Sequence, residues 1–238
     1  MTLLAVAWLV GRGHPARAAE YRDPEGRFAM TLTDGFVEVG RPILEARLAA
    51  LRKGGAPVPA YHAAFDRGTE PRLAYPYALL EVVPVRGVAW NTADLEGLLG
   101  RMDTEQAGRE TAAAFDRLGL GNLLRDPRVA FVRWEPERQA GAYRIRTQAQ
   151  GAEIHGEGRI YFYRNGYIAL WFYYLAGTPY AEAADRFTVA LTVLPDHRVP
   201  PPGFALRPGT ILIVMGGVVT AGMVVWLVVR RRVSKGRG

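Results

Sequence analysis

The sequence predicts an α+β domain: an α/β/α sandwich with a mainly antiparallel sheet covered by helices on both faces. A Pro-rich stalk and one C-terminal transmembrane helix follow it. Three observations predict this. The runs RIYFYR and YIALWFYY flank Asn165-Gly166, a strong two-residue hairpin signal, and both faces of the resulting strand pair are apolar. Such a pair needs cover on each side, and segments with helical spacing stand before and after it. Near the C-terminus, nineteen consecutive residues carry no charge.

In chain order, Phe28 to Val39 reads as a hairpin, with Phe28, Met30 and Leu32 alternating before the Asp34-Gly35 turn. Pro42 opens a helix to Lys53 whose Ile43, Leu44, Leu48 and Leu51 recur at helical spacing, and Gly54-Gly55 ends it. Tyr61 to Asp66 and Tyr77 to Val85 read as strands, the second dense enough for a sheet interior. Asn91 and Thr92 can cap a helix from Ala93, and Asp103 or Thr104 can start another to Leu118, stopped by Gly119 and Gly121. Gly-Leu-Gly there is a helix stop rather than a nucleotide loop, because no strand immediately precedes it.

From Val129 the pattern is β: Val129 to Trp134, Tyr143 to Gln150, and Ala152 to Leu175. A turn at Asn165-Gly166 sets Tyr163 against Ile168, Tyr161 against Leu170 and Arg159 against Phe172, with Ile160, Phe162, Ala169 and Trp171 on the other face. Thr178-Pro179 then starts a helix whose Ala183, Phe187, Ala190 and Leu191 pack on the sheet.

The ends set the organisation. Residues 1–18 read as a signal peptide, with an apolar run from Leu3 to Val10 and the small-x-small pattern Ala16-Arg17-Ala18. Residues 19–194 form the exported domain, without internal repeats. Residues 195–209 hold five prolines in fifteen and form the stalk. Residues 210–229 form the transmembrane helix, with Ile211 to Val229 long enough for a bilayer of about 30 Å at about 1.5 Å per residue. Residues 230–238 are a basic tail. Its five cations place it in the cytoplasm and the domain across the membrane, a single-pass protein of the cell membrane with an extracytoplasmic N-terminal domain.

The formal charge of +7 lies at the ends: five cations in the tail, and Arg12 and Arg17 in the first eighteen residues, leave residues 19–229 neutral. A neutral body argues against nucleic acid as a partner. The expected partners are the lipid bilayer and a protein at the membrane, together with a second copy through the membrane helix, where Gly217 and Ala221, like Gly216 and Thr220, permit close approach.

The order of elements resembles the Mog1/PsbP-like superfamily of PsbP and DcrB-like exported proteins. YRDPEGRFAMTLTDGFVEV (Tyr21 to Val39) is similar to that family's opening hairpin, with Thr33 and Phe36 where proline and tryptophan are usual. The strand YALLEVVPV, the split helical middle and the closing hairpin plus helix come in similar order over residues 21–194. The resemblance implies an α/β/α sandwich and an accessory, assembly or binding role, and it carries over no catalytic residue.

The chemistry points the same way. Cysteine is absent and Ser234 is the only serine, so thiolate chemistry and a serine nucleophile in the domain are excluded. Glu153, His155 and Glu157 alternate along one strand, but ligands about 7 Å apart diverge, which favours an Arg-paired or solvated charge row over a metal site. The sequence therefore assigns no catalytic residue, no metal and no cofactor. Tyr161, Tyr163, Trp171 and Tyr173 belong to an aromatic run that is either core or a binding surface. The expectation is a non-enzymatic binding or accessory/assembly module; the alternative is an exported, membrane-anchored hydrolase using carboxylates or a metal.

Overall fold

The computed structural model describes residues 19–53, 60–67, 75–85, 90–99, 124–149 and 151–200. The expected signal peptide (1–18), the helix expected over 103–118, the expected transmembrane helix with Gly217 and Ala221, and the basic residues after it lie outside these residues. Among the described residues, no helix is long and apolar enough to cross a membrane.

Ten strands and three helices make up the described domain. They are β1 (Glu20–Arg22), β2 (Phe28–Thr31), β3 (Phe36–Glu38), α1 (Arg41–Lys53), β4 (Tyr61–Arg67), β5 (Tyr77–Pro84) and α2 (Thr92–Leu99). Then come β6 (Leu124–Glu135), β7 (Ala140–Ala149), β8 (Ala152–Tyr163), β9 (Gly166–Leu175), α3 (Ala181–Val189) and β10 (Leu191–Val193). All pairings are antiparallel. A seven-stranded sheet runs β3-β4-β5-β9-β8-β7-β6, and a three-stranded sheet runs β1-β2-β10.

The fold is therefore richer in β structure than the predicted sandwich. One face of the large sheet is covered by α3 together with the small sheet, not by helices alone. Tyr21, Phe28, Met30, Leu191 and Val193 of the small sheet and Phe187 and Ala184 of α3 close over Phe65, Leu80, Tyr161, Ile168, Leu170 and Phe172 in one core. Phe36 reaches from β3 into it, 4.8 Å from the Phe187 ring and 5.1 Å from that of Phe172.

Three local expectations are corrected. Phe28 to Val39 is not a hairpin: Asp34 (φ 56°) and Gly35 (φ 76°) do form a tight left-handed turn, but β2 pairs with β1 and β10 while β3 pairs with β4. The turn passes the chain between sheets. The helix expected to start at Thr178-Pro179 begins at Ala181, because Thr178 Oγ1 donates back to Leu175 O (2.5 Å) and closes the preceding turn instead.

The third concerns the β8–β9 register. Tyr163 pairs with Gly166, Tyr161 with Ile168 and Arg159 with Leu170, a slip of two residues from the expected pairing. The turn is Arg164-Asn165, and Gly166 is a strand residue outside the positive-φ set. A Cβ there would collide with the carbonyl oxygen of Val83 and lie 2.7 Å from Tyr163 Oη, so close approach rather than turn geometry demands glycine. Since side chains alternate with period two, the slip leaves each on its expected face.

Folded structure also extends past Leu194. A 3-10 turn covers Pro195–His197, and Val199 is buried. The first five residues assigned to the stalk thus lie against the domain.

Candidate functional site

The aromatic hairpin was the candidate binding surface, and strand alternation divides it. Tyr161 and Tyr163 face α3 and the small sheet. Trp171 and Tyr173 project from the opposite face, with Ile160 and Phe162. All four are at most 4% exposed. They cannot line one groove, and each packs in a core.

The second face shows how. Trp171 lies over Gly158 and Tyr173 over Gly156, their cross-strand partners on β8. A Cβ on Gly156 would stand 3.1 Å from the Tyr173 ring, and one on Gly158 would fall inside the Trp171 indole. The two glycines let these rings settle flat against the backbone. The ring row continues from Trp171 to Tyr143 (6.3 Å) and from Tyr173 to Tyr77 (5.4 Å). Glu81 shares this face opposite Ala169, and its burial pushes the carboxyl up to about 7.

On the first face the large buried cation is Arg159, 2% exposed in the middle of β8. Its Nε and Nη2 each donate to Glu135 at 3.0 Å, Nη2 also to Asp185 (2.9 Å), and Nη1 to Thr188 Oγ1 (2.5 Å). Tyr161 Oη donates to the Thr188 carbonyl beside it. Burial alone would raise the Glu135 carboxyl, yet bonds and charge from Arg159 and Arg133 outweigh it and hold the group below its ordinary value. The cluster ties the end of β6 and the face of α3 to β8. Four of the five N–H donors of the guanidinium are spent within the protein.

A second cluster closes the β1–β2 turn. The side chain of Asp23, fully buried, accepts from Arg27 Nε (2.7 Å), Nη2 (2.9 Å) and backbone N–H (3.0 Å), and His62 Nε2 of β4 lies 2.9 Å away. Burial raises the Asp23 carboxyl, but the Arg27 bonds and the Arg27 and His62 charges bring it below the usual carboxylate value. Burial, together with the Arg27 charge, lowers the His62 imidazole more than Asp23 and Glu25 raise it. The contact between Asp23 and His62 anchors the turn to the large sheet.

No protein-family model and no curated protein matches the sequence. Solved structures do. The solution structure of cyanobacterial PsbP (CyanoP) from Synechocystis sp. PCC 6803 superposes with a TM-score of 0.50 at 12% identity, over 77% of this chain and 96% of that one. The domain has a PsbP-like fold. A Bacteroides thetaiotaomicron structure overlaps with a TM-score of 0.39 at 12% identity, over 82% of this chain and 56% of that one.

Within the PsbP-like domain, Glu153, His155 and Glu157 form a charge row. His155 Nε2 lies 2.8 Å from Glu153, and Glu157 accepts from Arg144 of β7 (2.9 Å). Among the described residues, no group of three His, Asp or Glu is placed to hold a metal ion. The Arg159 and Asp23 clusters escaped the sequence analysis. Arg159 carried a usable signal, since a cation whose alternation puts it among Tyr161, Leu170 and Tyr163 must find buried partners; Glu135 and Asp185 are too distant in sequence to be named from pattern.

Proposed function

We propose that this chain is an exported, single-span membrane-anchored accessory or assembly module, whose domain binds or supports a protein partner at the membrane. The observation that carries it is the joining, in one chain, of a PsbP-like domain to the uncharged stretch Ile211 to Val229 and its five-cation tail. The interior chemistry supports binding over hydrolysis: Arg159 is held by Glu135 and Asp185, and Asp23 by Arg27 and His62. In this reading residues 1–18 are removed on export, the tail is cytoplasmic, and Gly217 and Ala221 pair two membrane helices.

The test is topology followed by capture. Protease added to intact spheroplasts should digest the domain and spare a tag after Gly238, and the mature chain should begin near Ala19. Crosslinking in the same membranes should then join the domain to a protein. A digested tag with a protected domain would reverse the orientation and end the exported-module reading.

A further inference from the structure

The chain leaves the described domain at a clamped point. Leu194 N–H donates to Arg27 O, Arg164 N–H donates to His197 O, and the Gln139 amide grips Val199 twice: Nε2 to the carbonyl (2.7 Å) and Oε1 from the N–H (3.0 Å). Gln139 ends the β6–β7 turn and Arg164 begins the β8–β9 turn, so the exit sits on one end of the large sheet. Three exposed arginines stand beside it: Arg138, Arg164 and Arg198. None has an ion-pair partner among the described residues, whereas Arg27, Arg41, Arg144 and Arg186 each hold a carboxylate. Arg138 and Arg198 line an open depression of about 250 Å³ with Glu137 and Thr192.

The sequence beyond the exit limits what this end can meet. Pro200 to Thr210 is eleven residues, four of them proline, a reach of at most about 40 Å before Ile211. We propose that this end of the domain is its lipid-facing surface, with Arg138, Arg164 and Arg198 contacting the phosphates of anionic headgroups. The inference rests on the membrane anchoring proposed above. Glu137 and Asp196 stand at the same end, so long-range attraction is weak and the contact depends on the tether. Within the tether's reach, guanidinium groups that hold no carboxylate among the described residues can engage phosphates directly, Arg198 keeping only a 3.4 Å bond from Nε to Val193 O.

The absence of cysteine makes the test direct, because one introduced thiol gives one label. Asn165→Cys places a fluorophore at the exit end, and Ala152→Cys places one at the far end of β8, about 36 Å away at about 3.3 Å per residue. The full chain is reconstituted into vesicles of phosphatidylcholine, alone or mixed with phosphatidylglycerol, containing a headgroup-level quencher lipid. The Asn165→Cys label should be quenched about threefold more in the mixed vesicles, and the Ala152→Cys label should not respond. The difference should vanish in about 1 M salt and in Arg138→Gln/Arg164→Gln/Arg198→Gln, whose unchanged circular dichroism would certify the fold. A chain that fails to float with either vesicle overturns the anchoring itself. A chain that floats, with quenching indifferent to phosphatidylglycerol or to the triple substitution, overturns this inference alone.

Discussion

Gly158→Ala probes the ring packing on the second face of the sheet. A Cβ at position 158 lies 2.6 Å from Trp171 Cδ2 and nearer to Cε3 and Cζ3, where ordinary contact begins at 3.4 Å. The indole must therefore lift by about 1 Å, and Trp171, 2% exposed between Tyr143 and Tyr173, cannot lift without moving both neighbours. Overpacking of this kind costs about 1 to 3 kcal/mol, and the strand preference for alanine over glycine offsets about 0.5 to 1, a net loss of about 1 to 2. Trp171→Ala alone should cost about 3 to 5 kcal/mol, since it empties a buried indole site. In that background the new Cβ has room, so adding Gly158→Ala should stabilise by about 0.5 kcal/mol. The assay is urea unfolding of the four chains by circular dichroism. At a slope of about 2 kcal/mol/M, Gly158→Ala should lower the midpoint by about 0.5 to 1 M in the native chain and raise it by about 0.25 M beside Trp171→Ala. Equal shifts in both backgrounds would refute the ring-over-glycine packing.

Arg159→Met should destabilise by about 3 to 5 kcal/mol by leaving the buried Glu135 only the exposed Arg133 as a partner, and Arg159→Met/Glu135→Leu should recover most of that loss; thermal melts that rank the double variant lowest would contradict the account. Asp23 and Glu135 have folded values below their unfolded ones, so their contribution is full above roughly pH 4.5 and is lost as pH falls through the folded values. Acid titration of Asp23→Asn should show a shallower acid limb. Glu81 runs the other way: its folded value of about 7 lies above the unfolded one, so the folded state holds the extra proton and stability declines between about pH 4.5 and 7. Glu81→Gln should remove that decline from urea midpoints measured across the range. A chain ending after Val199 should melt higher than one ending after Leu194, because only the first keeps the Gln139 bonds; matching melting temperatures would show the clamp to be inconsequential.

Much of the sheet was legible because period-two alternation survives errors of pairing. A slip of two residues in β8–β9 left Tyr161 and Trp171 on their expected faces. What failed was choice of partner. Asp34-Gly35 has the backbone of a hairpin turn, but Phe28–Thr31 finds more apolar cover between Tyr21 and Leu191 than beside Phe36, and nothing within a dozen residues encodes that. The sequence analysis drew nothing from the alternating Gly156 and Gly158, because which rings they meet depends on the register. Arg159 announced a buried charge but not its carboxylates. The sequence left the aromatic run as either core or surface because such a run has the same composition whether it lines a groove or fills both sides of a sheet.

The small sheet also sets an order of events. Its central strand, Phe28–Thr31, is flanked by the first and the last of the described strands, and Leu191 pairs with Met30 across about 160 residues of sequence. During vectorial emergence from a ribosome or a translocation channel, β2 has to wait with one edge open until nearly all of the domain has passed. Ile211 follows that last strand by fewer than twenty residues. Completion of the core and arrival of the apolar segment are thus almost simultaneous, so a chain halted before Leu191 would display the unpaired edge of β2 to any chaperone or protease within reach.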